Sequence, residues 1–119
     1  MNSKRKGKVG ENELAKLLRS YGYDARRGVQ YSGLQGDADV IGVEGLHIEC
    51  KRAEQVRDEV FLAQSERDAR KGECPVVMYR RNGETWKCLT RLDVFMAIWG
   101  ELSDTQKQNI REKMKLIGK

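Results

Sequence analysis

The stretch from Gly36 to Lys51, GDADVIGVEGLHIECK, constrains the fold more than any other part of the chain. Read as a β-hairpin with Val43-Glu44-Gly45 as its loop, it puts a glycine where a three-residue loop needs a left-handed residue. Asp39 then lies directly across from Glu49. Side chains alternate along a strand, so Ala38, Val40, Leu46, Ile48 and Cys50 share one face, and Asp39, Ile41, His47, Glu49 and Lys51 share the other. The first face is apolar and belongs in a core. The second carries two carboxylates and a lysine.

Carboxylates held as cross-strand neighbours repel each other and lose hydration, which is unfavourable unless positive charge sits between them. A divalent cation meets that need. Mg²⁺ takes hard oxygen ligands, usually one or two carboxylates completed by water and phosphate oxygens, and Asp39 with Glu49 offers that set, the backbone carbonyl of Cys50 being a further candidate. Lys51 points at the same spot, where an ammonium can orient a nucleophile and stabilise charge on a phosphoryl group. The hairpin alone leaves a second reading open, a solvated strand face with an ordinary cross-strand Asp/Lys pair. His47 shares that face and could titrate near neutral pH, although a lone strand histidine is more often structural.

Upstream, Leu14, Leu17, Leu18 and Tyr21 recur at helical spacing and predict an amphipathic helix over about residues 10 to 21, ending near Gly22. Glu11 falls on the inward stripe of that helix, whereas Glu13, about 200° further round, faces elsewhere. The helix dipole alone would also favour a first-turn Glu, which is the competing account of Glu11. Downstream, Val60, Phe61, Gln64 and Asp68 lie along one stripe of a helix predicted over about residues 55 to 72 and closed by Gly72. Gln64 is polar on an otherwise apolar line. It either bonds to Lys51 or a metal-bound water, or reaches solvent from the helix edge.

Pro75 opens a strand over Val76-Val77-Met78-Tyr79, and Asn82-Gly83 is a turn signal before the strand Thr85–Leu89. Leu92, Phe95, Met96 and Trp99 predict a third helix begun by Thr90 or Asp93 and ended by Gly100. A last helix over about residues 103 to 117, capped by Ser103 or Asp104, carries a thin stripe of Ile110, Met114 and Ile117, suited to packing on the domain or against a second subunit.

Lys6-Gly7, Glu11, Leu14, Leu18, Gly22-Tyr23, Arg26 or Arg27, Ser32-Gly33, Asp39-Val40-Ile41 and Ile48-Glu49-Cys50-Lys51 together resemble the archaeal Holliday-junction resolvases and their phage relatives, within the PD-(D/E)XK nuclease superfamily. The resemblance spans about residues 4 to 70. It implies an α/β, restriction-endonuclease-like core, a mixed central sheet flanked by helices in the order α-β-β-β-α-β with C-terminal helices added. It implies that Glu11, Asp39 and Glu49 form an acidic metal site, that Lys51 is the catalytic lysine and that Gln64 supports it. The expected reaction is Mg²⁺-dependent hydrolysis of DNA phosphodiester bonds, with Mn²⁺ substituting, and the expected substrate is a Holliday junction or other branched DNA of recombination and repair. A four-way junction presents symmetry-related strands, which a twofold homodimer would match.

The chain departs from the family pattern in two places. No proline precedes Asp39, and Asn12 stands where many relatives carry a phosphate-contacting basic residue. Only one of Arg26 and Arg27 can point toward the site from a strand. Two other functions stay open on sequence: a different enzyme of the superfamily, such as a nickase, a repair or replication nuclease or a restriction-type subunit, and a nucleic-acid-binding module without turnover.

The 119 residues suit a single nuclease domain, 1–119, with residues 1–8 as a basic, mobile arm. A net charge of +5 is spread over several basic clusters, and the residues expected to meet DNA are Lys4, Arg5, Lys6, Lys8, Arg26, Arg27, Ser32 and Arg52. Ser32 lies in the glycine-rich loop Gly28–Gly36, where small residues permit close approach of a phosphate backbone. Cys50, Cys74 and Cys88 are odd in number and lack a C-x-x-C spacing, so neither zinc nor a disulfide framework is expected. With no transmembrane run or secretory signal, no membrane partner is expected, and the expected compartment is the cytoplasm of a prokaryotic or phage-infected cell.

Overall fold

The computed structural model describes residues 3–28 and 38–119, the side chains of residues 3–6 excepted. Along these residues run α1 (Ser3–Ser20), β1 (Arg26–Arg27), β2 (Val40–Ile41), β3 (Leu46–Arg52), α2 (Asp58–Asp68), β4 (Cys74–Arg80), β5 (Lys87–Leu89), α3 (Leu92–Gly100) and α4 (Asp104–Leu116). The strands form one sheet in the order β1-β2-β3-β4-β5. Only β3 and β4 are parallel, and α2 is the crossover that a parallel pair requires. This is the expected α-β-β-β-α-β order, with mixed strand directions and helices at the flanks.

The hairpin register is the one its glycine dictates. Val40 pairs with Ile48, which sets Asp39 opposite Glu49. Gly45 adopts φ +89°, and the Leu46 N–H donates to the Val43 carbonyl at 3.2 Å. Gly42 has a second, steric reason to be glycine: its φ is +103°, and a Cβ there would lie 2.0 Å from the Asp24 carbonyl oxygen.

The two faces of β3 are buried against different helices. Ile48 packs with Val40, Val76, Ala25 and the α1 residues Leu14 and Ala15, while Cys50 and Leu46 border that cluster. The opposite face carries His47, Glu49 and Lys51, with α2 above it, where Leu62 and Ser65 are buried. Glu49 and His47 are each only 1% exposed, so the solvated-strand reading of this face is excluded.

Several boundaries differ from the sequence expectation. The first helix begins at Ser3 rather than near residue 10, so residues 3–8 are helical. Glu11 therefore sits two turns inside α1, and the helix-dipole account of it no longer applies. Tyr21 lies beyond the end of α1 and is exposed. The second helix ends at Asp68, with Gly72 (φ +90°) in the turn that follows. Val60 is exposed, and the buried line of α2 runs through Leu62 and Ser65. The α3 N-cap is Arg91, without a side-chain cap, because the Thr90 hydroxyl donates instead to the Pro75 carbonyl at 2.9 Å. Ser103 caps α4 as expected, its hydroxyl accepting from the Gln106 N–H while the Gln106 side chain accepts from the Ser103 N–H. Ile110 is half-buried, whereas Met114 and Ile117 stay exposed. Among the described residues, no helix is long and apolar enough to cross a membrane.

Candidate active site

Asp39 sits one residue before β2 and is held by its backbone on both sides. Its N–H donates to the Ile48 carbonyl at 3.0 Å, and its carbonyl accepts from the Gly28 N–H at 2.8 Å. Its side-chain Oδ2 accepts from the Cys50 N–H at 2.8 Å, so the carboxyl is aimed along β3. Strand alternation sets the Cys50 carbonyl along the same edge as the Ile48 carbonyl, which faces Asp39.

Across the ladder, Glu49 meets His47 Nε2 with Oε1 at 2.8 Å, and His47 Nδ1 lies 3.6 Å from Glu73 Oε1. Burial is the first cause that pushes the Asp39 carboxyl up to about 7, and the negative charge of Glu49 and a hydrogen bond to it push the same way. The Cys50 N–H opposes that shift, and Glu11 adds to it. His47 is held protonated above the usual histidine range by its bond to Glu49, against the opposing effect of burial.

Lys51 Nζ donates to Gln64 Oε1 at 2.9 Å and stands 5.4 Å from the centre of the Phe61 ring. The strand thus sets the direction of the lysine, and one turn of α2 fixes its tip through a bond and a cation–π contact. Burial raises the Cys50 thiol above its ordinary range, and Cys50, Cys74 and Cys88 are free.

Glu11 reaches the neighbourhood of Asp39 from α1, and its Oε2 is 2.6 Å from Arg27 Nε. Glu13 points elsewhere, as its helical phase required, and accepts from Arg80 Nε at 2.5 Å and from Arg52 Nη1 at 2.9 Å. Those two guanidinium groups hold its carboxyl below the usual range.

The expected DNA contacts divide into four groups. Lys8 is exposed on α1, and Lys4, Arg5 and Lys6 lie in the first turns of the same helix. Arg27 is the member of its pair that touches a site residue, whereas exposed Arg26 turns back to Asp24 at 3.4 Å. Ser32 lies outside the described residues. Arg52 is mostly buried along its side chain, and its guanidinium bonds through Nη1 to Glu13 at 2.9 Å and through Nη2 to Asn82 at 2.6 Å.

Among the described residues, no three His, Cys, Asp or Glu side chains converge as a ready-made metal cage. What converges is the pair Asp39 and Glu49, with Glu11 held by Arg27 beside them. A pair is enough for Mg²⁺, which keeps several waters and shares substrate phosphate oxygens, so the donor set fits that ion better than one that demands an all-protein cage.

A mixed sheet with a parallel β3–α2–β4 crossover and helices on both faces is a restriction-endonuclease-like core. Over residues 2–118 the chain matches the family model described as "Phage putative PDDEXK endonuclease", and it belongs to that family. Comparison with curated proteins and with solved structures found no match. Membership brings the nuclease class, DNA as the substrate, and the divalent-metal use general in that class.

Three features of the site were not read from sequence. Phe61 beneath Lys51 is signalled only by its place one turn before Gln64. The Arg27–Glu11 pair joins residues from two elements whose relative placement is tertiary. The line Glu49–His47–Glu73 requires knowing that the turn before β4 lies beside His47.

Proposed function

We propose that the chain is a Mg²⁺-dependent endonuclease that hydrolyses DNA phosphodiester bonds at the Asp39–Glu49–Lys51 site, with branched DNA such as a Holliday junction as its substrate. The observation that carries this reading is the buried carboxylate pair, with a lysine held beside it by Gln64 at 2.9 Å, in a chain of a nuclease family. Asp39 and Glu49 would hold the ion, with the Cys50 carbonyl on the same edge; Mn²⁺ would substitute. When bound, the ion supplies Lewis acidity at a phosphoryl oxygen and lowers the pKa of its water.

The other steps belong to the chain's own residues. Gln64 accepts from the Lys51 ammonium and so keeps it directed at the scissile phosphate, where it stabilises the charge that develops as the P–O bond to the leaving oxygen breaks. Arg27 and Lys8 meet neighbouring phosphates and position the strand. Glu11 becomes a further carboxylate for the site once Arg27 turns from it to DNA. A twofold homodimer would present two such sites to the two equivalent strands of a junction.

The test is a cleavage assay on four-way junction, flap, single strand and linear duplex of matched composition, in Mg²⁺, Mn²⁺ or chelator. Junction cleavage that needs metal and is lost in Asp39→Asn supports the reading. Cutting of linear duplex at a fixed sequence would move the chain to a restriction-type role, and DNA binding without cleavage in any metal would make it a binding module.

A further inference from the structure

The only histidine in the sequence, His47, is fully buried beside a candidate metal ligand. Its Nε2 lies 2.8 Å from Glu49 Oε1, and its Nδ1 faces Glu73 Oε1 at 3.6 Å. Glu73 is itself fixed, because its Oε1 accepts from the Arg70 N–H at 2.7 Å. The ring is thus bonded at Nε2 by a carboxylate of β3, while a second carboxylate, from the turn before β4, faces Nδ1 at ion-pair distance. A histidine buried only for packing is satisfied as well by a backbone carbonyl or a water. This one instead occupies one of the two oxygens of Glu49.

We propose that His47 is a positioning residue for the nuclease site, acting through Glu49. With Oε1 bonded to the imidazole and the side chain enclosed, the carboxylate cannot rotate, and Oε2 is the single oxygen left for a cation shared with Asp39. The arrangement also makes the buried negative charge of Glu49 tolerable before any cation arrives, since an unpaired carboxylate in this position would be strongly disfavoured. Glu73 faces the far side of the ring at 3.6 Å and adds a second negative charge beside it. Partners of this kind set the geometry of a metal ligand, and their loss typically weakens metal affinity by about 10- to 100-fold. The inference rests on the metal-site reading of Asp39 and Glu49.

The experiment compares wild type, Asp39→Asn, His47→Leu and His47→Gln by calorimetric Mn²⁺ titration of the full chain, with circular dichroism as a check on folding. His47→Leu should bind Mn²⁺ about 10-fold or more weakly. His47→Gln should recover most of the affinity, because its amide can still donate to Glu49. Wild-type affinity in His47→Leu would overturn the proposal, as would an equal loss in the Leu and Gln variants, which would tie the effect to packing. Should His47→Leu not fold, ring ¹⁵N spectra of wild type decide, since one histidine gives one set of signals. Those signals should shift on saturation with Mg²⁺ in wild type and not in Asp39→Asn; no shift in a wild type that does bind Mg²⁺ overturns the proposal. A wild type that binds neither ion fails earlier, overturning the metal-site reading and this inference with it.

Discussion

At Asp39, burial and the facing Glu49 carboxylate give the metal-free protein a measurable pH signature. The folded carboxyl ionises near 7 against an ordinary 3.8, so across that interval the native state holds a proton that the unfolded chain has released. Stability is then greatest below the ordinary value and is lost as pH rises through about 7. His47 acts in the same direction, because its protonated form is favoured in the fold and that contribution fades as pH rises through its raised folded value. In chelator, the melting temperature should therefore fall between about pH 5 and 8, and Asp39→Asn should flatten the fall and melt above wild type at the alkaline end. A wild-type profile that rises over this range would contradict the carboxylate pairing. Lys51 tests the chemistry separately. Its Nζ touches Gln64 and Phe61 and no carboxylate of the pair, so Lys51→Met should retain Mn²⁺ and DNA affinity while cleavage drops by about a hundredfold or more, read by single-turnover kinetics. Robust turnover in that variant would remove the lysine from the mechanism.

The helix α1 separates two glutamates that composition cannot tell apart. Glu11 stands by Arg27 at the site, whereas Glu13 ties α1 to β3 and β4 through Arg52 and Arg80. Glu11→Gln should lower cleavage with little change in melting temperature. Glu13→Gln should keep cleavage per folded molecule and lose about 1 to 2 kcal/mol of stability, since two partly buried guanidinium groups lose their anion. Matching phenotypes would show that the helix phase is wrong. That phase was legible because Leu14 and Leu18 fix the inward stripe, and the hairpin was legible because a period of two and one glycine leave a single register that buries Ile48 and Val40. The start of α1 was not, since a Lys/Arg-rich run looks like a tail although both residues are good helix formers. In α2, adjacent Val60 and Phe61 hid the phase: apolar character marks both, yet the buried line passes through Ser65, whose hydroxyl is within 3.4 Å of the Val76 carbonyl. The fate of Arg52 depends on Glu13 of α1 and on Asn82 after β4, and the placement of Glu73 beside His47 on the turn before β4, and no local pattern encodes these.

The whole molecule is a sheet with α1 on one face and α2 on the other, and the candidate site gathers Asp39 and Glu49 from the hairpin, with Glu11 of α1 near Asp39 and Lys51 under α2. In the proposed reading, phosphate affinity would come from a net charge of +5 and from exposed cations such as Lys8 and Arg26, with the half-buried Arg52 engaged by Glu13 and Asn82. A surface of this kind reads backbone charge and shape rather than base edges, so its preference should depend on how many phosphates a substrate can place against it. A four-way junction offers phosphates from several arms to a twofold pair of such surfaces; a linear duplex fills only part of that footprint. Junction binding should therefore be tighter than duplex binding at low salt. Each further phosphate contact releases counterions and steepens the fall of affinity with salt, so the junction should also show the steeper slope, and the gap between the two should narrow as salt rises. Competition in Ca²⁺, between a junction and a duplex of equal length and composition, measures both quantities before cleavage intervenes. Equal competition at moderate salt, or a protein that stays monomeric on the junction by light scattering, would remove the junction assignment and leave a nuclease of the same family acting on another DNA form.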